Sequence, residues 1–149
     1  MLLRVPHHKQ TGQADCLAAC AAMVMEYIGQ PAPYRQLLAI LNVKPQGTPR
    51  RNIVRLASNT IDVVYREANV PLLAEIVQLG NPAIVFVDTS ELPYWSYATS
   101  HALVVVGVQA EQIFVNDPAF ADSPIQVSAG DFDLAWLNAD YMCAIISRK

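Results

Sequence analysis

Cys16, His101 and Asp117, with Gln10 upstream of the cysteine, are the residues of this 149-residue chain whose types and spacing could do chemistry. A thiol attacks a carbonyl carbon when a base takes its proton, a third group fixes the tautomer of that base, and a donor meets the developing oxyanion. The chain offers one residue for each of these roles, with Cys16 as nucleophile, His101 as base and later acid, Asp117 as orienter, and the Gln10 side-chain amide as oxyanion donor. The backbone amide of Cys16 would be a second donor. Gln13 stands nearer to Cys16 than Gln10 does, and spacing alone leaves it in competition. Asn116 is an alternative orienter, although strand alternation sends it to the opposite face from Asp117.

Two local structures must position these groups. Leu17, Ala21, Val24, Met25 and Ile28 recur at steps of three and four, predicting a helix that begins at Cys16 and ends at Gly29, with Pro31 beyond. Asp15 stands at the N-cap position. Its carboxylate is expected to accept first-turn amides and so to set Cys16 at the positive end of the macrodipole, which favours a thiolate. Ala18, Ala19, Ala21 and Ala22 would let other backbones approach closely, as a central helix requires. Downstream, Ala102 to Val108 and Ile113 to Val115 read as strands, and the polar break Gln109 to Gln112 as their hairpin turn. His101 begins the first strand and Asp117 follows the second, so antiparallel pairing brings them together.

The remaining pattern predicts short helices at Tyr34 to Leu41, Arg50 to Ser58 and Pro71 to Gly80, and further strands at Val63 to Arg66, Ala83 to Val87 and Tyr141 to Ser147. Helices crowd the first half and strands the second, giving an α+β chain with an antiparallel sheet. With 53% hydrophobic and 15% charged residues the chain suits one domain over residues 1–149. The formal net charge of -3 and scattered cations leave no footprint for nucleic acid. The longest apolar runs, Leu17 to Met25 and Ala102 to Val108, fall well short of the ~20 residues that span a bilayer. The N-terminus has too short an apolar run for a signal peptide, so the expected compartment is the cytoplasm.

Three cysteines are an odd number for a disulfide framework, and reduced thiols are expected, with Cys20 and Cys143 as small buried hydrophobes. His7, His8, Cys16 and Cys20 lack a matching downstream pair for zinc, so neither a metal nor another cofactor is expected. His7 and His8 read instead as a solvated pair. The loop Glu91 to Tyr97 precedes His101, and Tyr94, Trp95 and Tyr97 are candidates for a substrate groove. Arg50, Arg51 and Arg55 read as a solvated helix start rather than as contacts for a substrate carboxylate.

Gln10-Thr-Gly-Gln-Ala-Asp15-Cys16-Leu-Ala-Ala-Cys20, and Ser100-His101-Ala-Leu-Val-Val-Val-Gly107 followed by Val115-Asn116-Asp117-Pro118-Ala119, resemble the two signatures of the bacteriocin-processing peptidase family. These are papain-like cysteine peptidases that cleave leader peptides after a double glycine. The resemblance implies a papain-like fold, an N-terminal helical half with a central catalytic helix on a C-terminal antiparallel sheet, and a closing segment of strand, short helix (Phe132 to Leu137) and strand. It implies Cys16, His101, Asp117 and Gln10 in the roles given above, and a cysteine peptidase that works through a thioester acyl-enzyme. It also implies a peptide or protein substrate, and association with a separate transporter, since familiar members are domains of exporters. Leu17 departs from the pattern, standing where members usually carry glycine, and belongs with the substrate-contact candidates. An acyl or peptidyl transferase, or a silent peptide-binding module, would use the same fold.

Overall fold

The structure, a computed structural model, describes residues 2–149. The chain order is helix α1 (Cys16–Tyr27), helix α2 (Tyr34–Ile40), a 3-10 helix (Arg50–Leu56), strand β1 (Ile61–Glu67), helix α3 (Val70–Gln78) and strand β2 (Ala83–Asp88). A 3-10 turn (Thr89–Glu91) follows, then β3 (Ser100–Gln109), β4 (Gln112–Asn116), β5 (Ile125–Ser128), helix α4 (Ala129–Leu137) and β6 (Met142–Arg148). The strands form one six-stranded sheet in the order β1-β6-β2-β3-β4-β5, antiparallel at every pair.

Strand alternation divides the core into two layers. Ile84, Phe86, Ala102, Val104 and Val106 join α1, α2 and the 3-10 helix on one face. Their neighbours Ala83, Val85, Val87, Leu103 and Val105 join α3 and α4 on the other. A strand covered on both faces has no solvent side, which is why β2 and the middle of β3 are unbroken apolar runs. The helix-on-sheet arrangement expected from the sequence is therefore one half of a sandwich, with a second helical layer behind.

Helix α1 is more deeply enclosed than its periodic pattern implies: Leu17, Ala18, Ala19, Cys20, Ala21, Met23, Val24 and Met25 are all buried. The alanines permit this by letting β3 and α2 pack close to the helix axis. The helix stops at Gly29, whose φ of 78° is the left-handed geometry that glycine adopts without a Cβ penalty. The expected helix over Arg50 to Ser58 is a 3-10 helix ending at Leu56.

The β3-β4 hairpin forms as its sequence predicts, with Gln109 opposite Gln112 and Ala110 turning at φ 53°. The pairing of β3 with β2 ends at Val105, a bulge interrupts its pairing with β4 between Val105 and Gly107, and there Leu3 donates its amide to the Val106 carbonyl at 2.8 Å. From there the N-terminal segment runs along the hairpin. Asn116 Nδ2 donates to the Val5 carbonyl at 3.1 Å, and the Gln10 amide donates to the Pro118 carbonyl at 2.8 Å. Residues far apart in sequence, Gln10 and Asp117, thus become neighbours through backbone pairing.

Trp136 anchors the second layer. It is fully buried, packs at a tilt on Phe132 and edge-to-face on Tyr141 at 5.5 and 5.4 Å between ring centroids, and donates Nε1-H to the Met142 carbonyl at 2.9 Å. Trp136→Ala is expected to lower the unfolding free energy by about 3–5 kcal/mol in urea denaturation, by loss of packing and creation of a cavity.

Candidate active site

Cys16 is the first residue of α1, half-buried at the head of the helix, where its amide is among those without an intrahelical acceptor. Asp15 precedes it as the N-cap residue but does not cap: its side chain bonds no first-turn amide. The carboxylate turns back onto the preceding loop. There Oδ2 accepts from the Thr11 amide at 3.2 Å, the Thr11 hydroxyl at 2.8 Å and the Tyr34 hydroxyl, while Oδ1 accepts from the Gly12 amide at 2.7 Å. Burial works to raise its pKa, but the hydrogen bonds from Tyr34, Thr11 and Gly12 prevail and hold it below the usual carboxylate range. The expectation of a helix cap is corrected by this geometry: Asp15 is a clamp for the loop that carries Gln10 and Gln13. Tyr34, on α2, gave no signal in the sequence. Burial and its bond to Asp15 push its phenol upward.

His101 lies at the start of β3, 6% exposed, and its Nε2 meets Asp117 Oδ1 at 2.7 Å. The antiparallel register makes this contact. Val104 pairs with Asn116, so Asp117, one residue beyond, falls opposite the stretch just after His101. With Nε2 engaged, Nδ1 is the nitrogen left for the imidazole's other side-chain partner, Cys16. Burial alone would discharge the ring, but the hydrogen bonds and charge of Asp117 and Cys16 outweigh it and push the His101 pKa up to about 9. The structure therefore brings Cys16, His101 and Asp117 together in that order.

Asp117 is fully buried, and four donors surround it. Besides His101, the Tyr94 hydroxyl reaches Oδ2 at 2.7 Å, Trp95 Nε1 reaches Oδ2 at 2.9 Å, and the Ala119 amide reaches Oδ1 at 3.0 Å. Burial would raise its pKa, yet His101 and the other donors keep it low. Asn116, the alternative orienter, faces away and is bonded to Val5.

The loop before His101 does something other than what its composition suggested. Tyr94 and Trp95 point at Asp117, and the Trp95 ring stands edge-on to the His101 ring with centroids 4.7 Å apart. Phe120 packs against both, at 5.2 and 5.4 Å. None of Tyr94, Trp95 and Tyr97 lines the cleft, so their contacts make them a shield for the His101-Asp117 pair, with exposed Tyr97 edge-to-face with Trp95. Leu17 does line the cleft, although it is only 2% exposed.

That cleft has a volume of about 1110 Å³. Cys16, Gln13, Ala14, His101, Ser100 and Thr99 border it near the thiol, and Tyr65, Phe86 and residues 45–51 continue it. Gln10 is outside its lining. The Gln10 amide Nε2 donates one hydrogen to the Gly12 carbonyl at 2.7 Å, leaving its second hydrogen for another acceptor, while Oε1 is buried without a partner.

Cys20 is buried and its thiol is pushed well up, first by burial and then by the nearby Cys16 and Asp117. Burial raises Cys143 to about 11, against a small opposing effect of Arg66. Both are the packing cysteines expected. His7 and His8 are not a free solvated pair: His7 Nε2 bonds the Phe120 carbonyl at 2.6 Å and His8 Nε2 meets Glu26 at 3.2 Å. Among the described residues no three His, Cys, Asp or Glu side chains gather as a metal site. Among them, too, no helix is long and apolar enough to cross a membrane.

An antiparallel sheet with a thiol at the head of a buried helix and a histidine-carboxylate pair at the strand ends across a cleft defines a cysteine peptidase of the papain-like kind. The chain belongs to the peptidase C39 family, which matches residues 4–144. Its structure resembles that of a double glycine motif protease from an AMS/PCAT transporter in complex with its leader peptide. That likeness has 20% identity and a TM-score of 0.78, covering 99% of this chain and 94% of that one. It also resembles the peptidase domain of Streptococcus ComA, a bi-functional ABC transporter involved in quorum sensing, at 22% identity and TM-score 0.79, covering 98% and 100%. No curated protein sequence matches the chain significantly.

If Asp15 holds the loop and not the helix, Asp15→Ala will speed hydrogen exchange at the Thr11 and Gly12 amides while exchange within α1 changes by no more than global stability does. The four abandoned donors should cost about 1–3 kcal/mol in all.

Proposed function

We propose that this cysteine peptidase cleaves a peptide bond through a thioester, with Cys16 as nucleophile, His101 as base and acid, Asp117 as orienter and Gln10 as oxyanion donor. The observation that carries the reading is the relay from Cys16 through His101 to the buried Asp117, with Nε2 fixed at 2.7 Å and Nδ1 the nitrogen left for the thiol. Cys16 gives its proton to His101 Nδ1, and Asp117 stabilises the imidazolium beside the sulfur. Sulfur then attacks the carbonyl carbon as the carbonyl π electrons move to oxygen. The oxyanion would meet the Cys16 amide and the second hydrogen of Gln10 Nε2.

Collapse of this intermediate expels the amine, which takes the proton from His101 Nδ1. Neutral His101 next deprotonates a water molecule, which attacks the thioester carbonyl; the carboxylic acid leaves and Cys16 is restored. Asp117 keeps the same ring orientation in both halves because four donors prevent its carboxylate from turning. A peptide substrate suits the long open cleft. One structural neighbour is named as a protease in complex with a leader peptide, which supports a leader-bearing precursor as the substrate class.

In a peptide-library digest, wild-type protein should give cleavage that Cys16→Ala abolishes and that His101→Ala lowers by about 100-fold or more in kcat/KM. At pH 6, iodoacetamide should label Cys16 faster than it labels a free cysteine peptide, and His101→Ala should remove that advantage. Labelling indifferent to His101 would dismiss the catalytic pair. Products that incorporate an added amine in place of water would reassign the second step to acyl transfer.

A further inference from the structure

We propose that the Thr48–Arg51 wall of the cleft is a subsite for an acidic side chain of the peptide substrate, with the Arg51 guanidinium as its cation and the Thr48 hydroxyl as a hydrogen-bond donor beside it. The inference rests on the peptidase reading above and adds the chemistry of the substrate. Three arginines stand near this wall in sequence, and the structure separates them. Arg50 is committed: Nη1 donates to the Ala139 carbonyl at 2.6 Å and Nη2 to Asp140 at 2.8 Å. Arg55 is outside the lining of the cleft. Arg51 lines the cleft, is exposed, and makes no hydrogen bond or ion pair among the described residues.

The wall is already rigid before a ligand arrives. Lys44 and Gly47 exchange both backbone hydrogen bonds, at 3.2 and 2.9 Å, with Gly47 at φ 121°. Pro49 leads into the 3-10 helix, Asn52 donates to the Leu41 carbonyl at 3.0 Å, and Arg50 ties the helix start to the loop after α4. Backbone on such a frame loses little freedom on binding. Within it the Thr48 hydroxyl is buried and has no partner, although Thr48 lines the cleft. A hydroxyl withdrawn from water without a hydrogen bond is costly, and a substrate oxygen would satisfy it. The charged groups lining the cleft besides Arg51 are Arg50, already paired, His101, paired with Asp117, and Asp88, whose carboxylate accepts from the Ser90 amide at 2.9 Å. Arg51 is thus the unneutralised cation of the cleft in a chain of formal net charge -3.

The test measures binding of acetylated, amidated decapeptides, in which each position in turn is Glu, Gln or Lys, to the Cys16→Ala protein. At one position Glu should bind about three- to fivefold better than Gln, the range of a solvent-accessible ion pair, and the difference should shrink as salt rises. Arg51→Gln should erase the preference, Arg51→Glu should invert it towards Lys, and Arg51→Lys should keep part of it. Thr48→Val should weaken the Glu peptide about threefold. No Glu preference at any position, no peptide binding at all, or a preference that survives Arg51→Glu would overturn the subsite. Because the binding assay needs no turnover, failure of the subsite is separable from failure of the peptidase reading, which shows as absence of Cys16-dependent cleavage by the wild type.

Discussion

Everything at this site depends on a carboxylate that is charged and fully out of water. Removing an ion of this size from solvent costs several kcal/mol even after the protein relaxes, and only a complete set of donors makes it tolerable. Asp117 has that set: an imidazole, a phenol, an indole and a backbone amide. The aromatic donors do double duty, since the rings of Tyr94 and Trp95, with Phe120, also exclude water from the His101 edge. In a water-poor setting the charge of Asp117 is screened little, and it holds a proton on His101 that burial alone would remove.

The fold supplies the placements that this interaction needs. The β3-β4 register sets His101 and Asp117 side by side, and the helical layer over that face of the sheet delivers the head of α1 to the other side of the imidazole. The N-terminal segment is threaded by backbone hydrogen bonds to Val106 and Pro118, then clamped by Asp15 and Tyr34, so the loop before Cys16 is fixed at both ends. A flexible loop there would leave the oxyanion donors unplaced, and misplacement of about 1 Å can cost roughly 100-fold in rate.

Much of this was legible in the sequence because it is local. The helix from Cys16, the hairpin between His101 and Asp117, and most strands follow from apolar periodicity and turn residues within short windows. What was not legible is pairwise and long-range. Asp15 looks like a helix cap, but Tyr34, Thr11 and Gly12 together outcompete the first-turn amides for its oxygens. Tyr94 and Trp95 look like groove residues because they are aromatic and lie in a loop; their polar atoms turn inward because a buried carboxylate needs donors more than a cleft needs rings. Arg50 looked as free as Arg51 until Ala139 and Asp140 were brought to it across the fold.

The central claim is that Asp117 keeps His101 protonated beside Cys16, and nitrogen NMR of the imidazole tests it most directly. In protein labelled at the histidine nitrogens, the His101 signals should report a charged ring at neutral pH, lose that charge only near pH 9, and shift to a much lower titration in Asp117→Asn. A neutral His101 at pH 7 in the wild type, or a titration that Asp117→Asn leaves unchanged, would contradict the account.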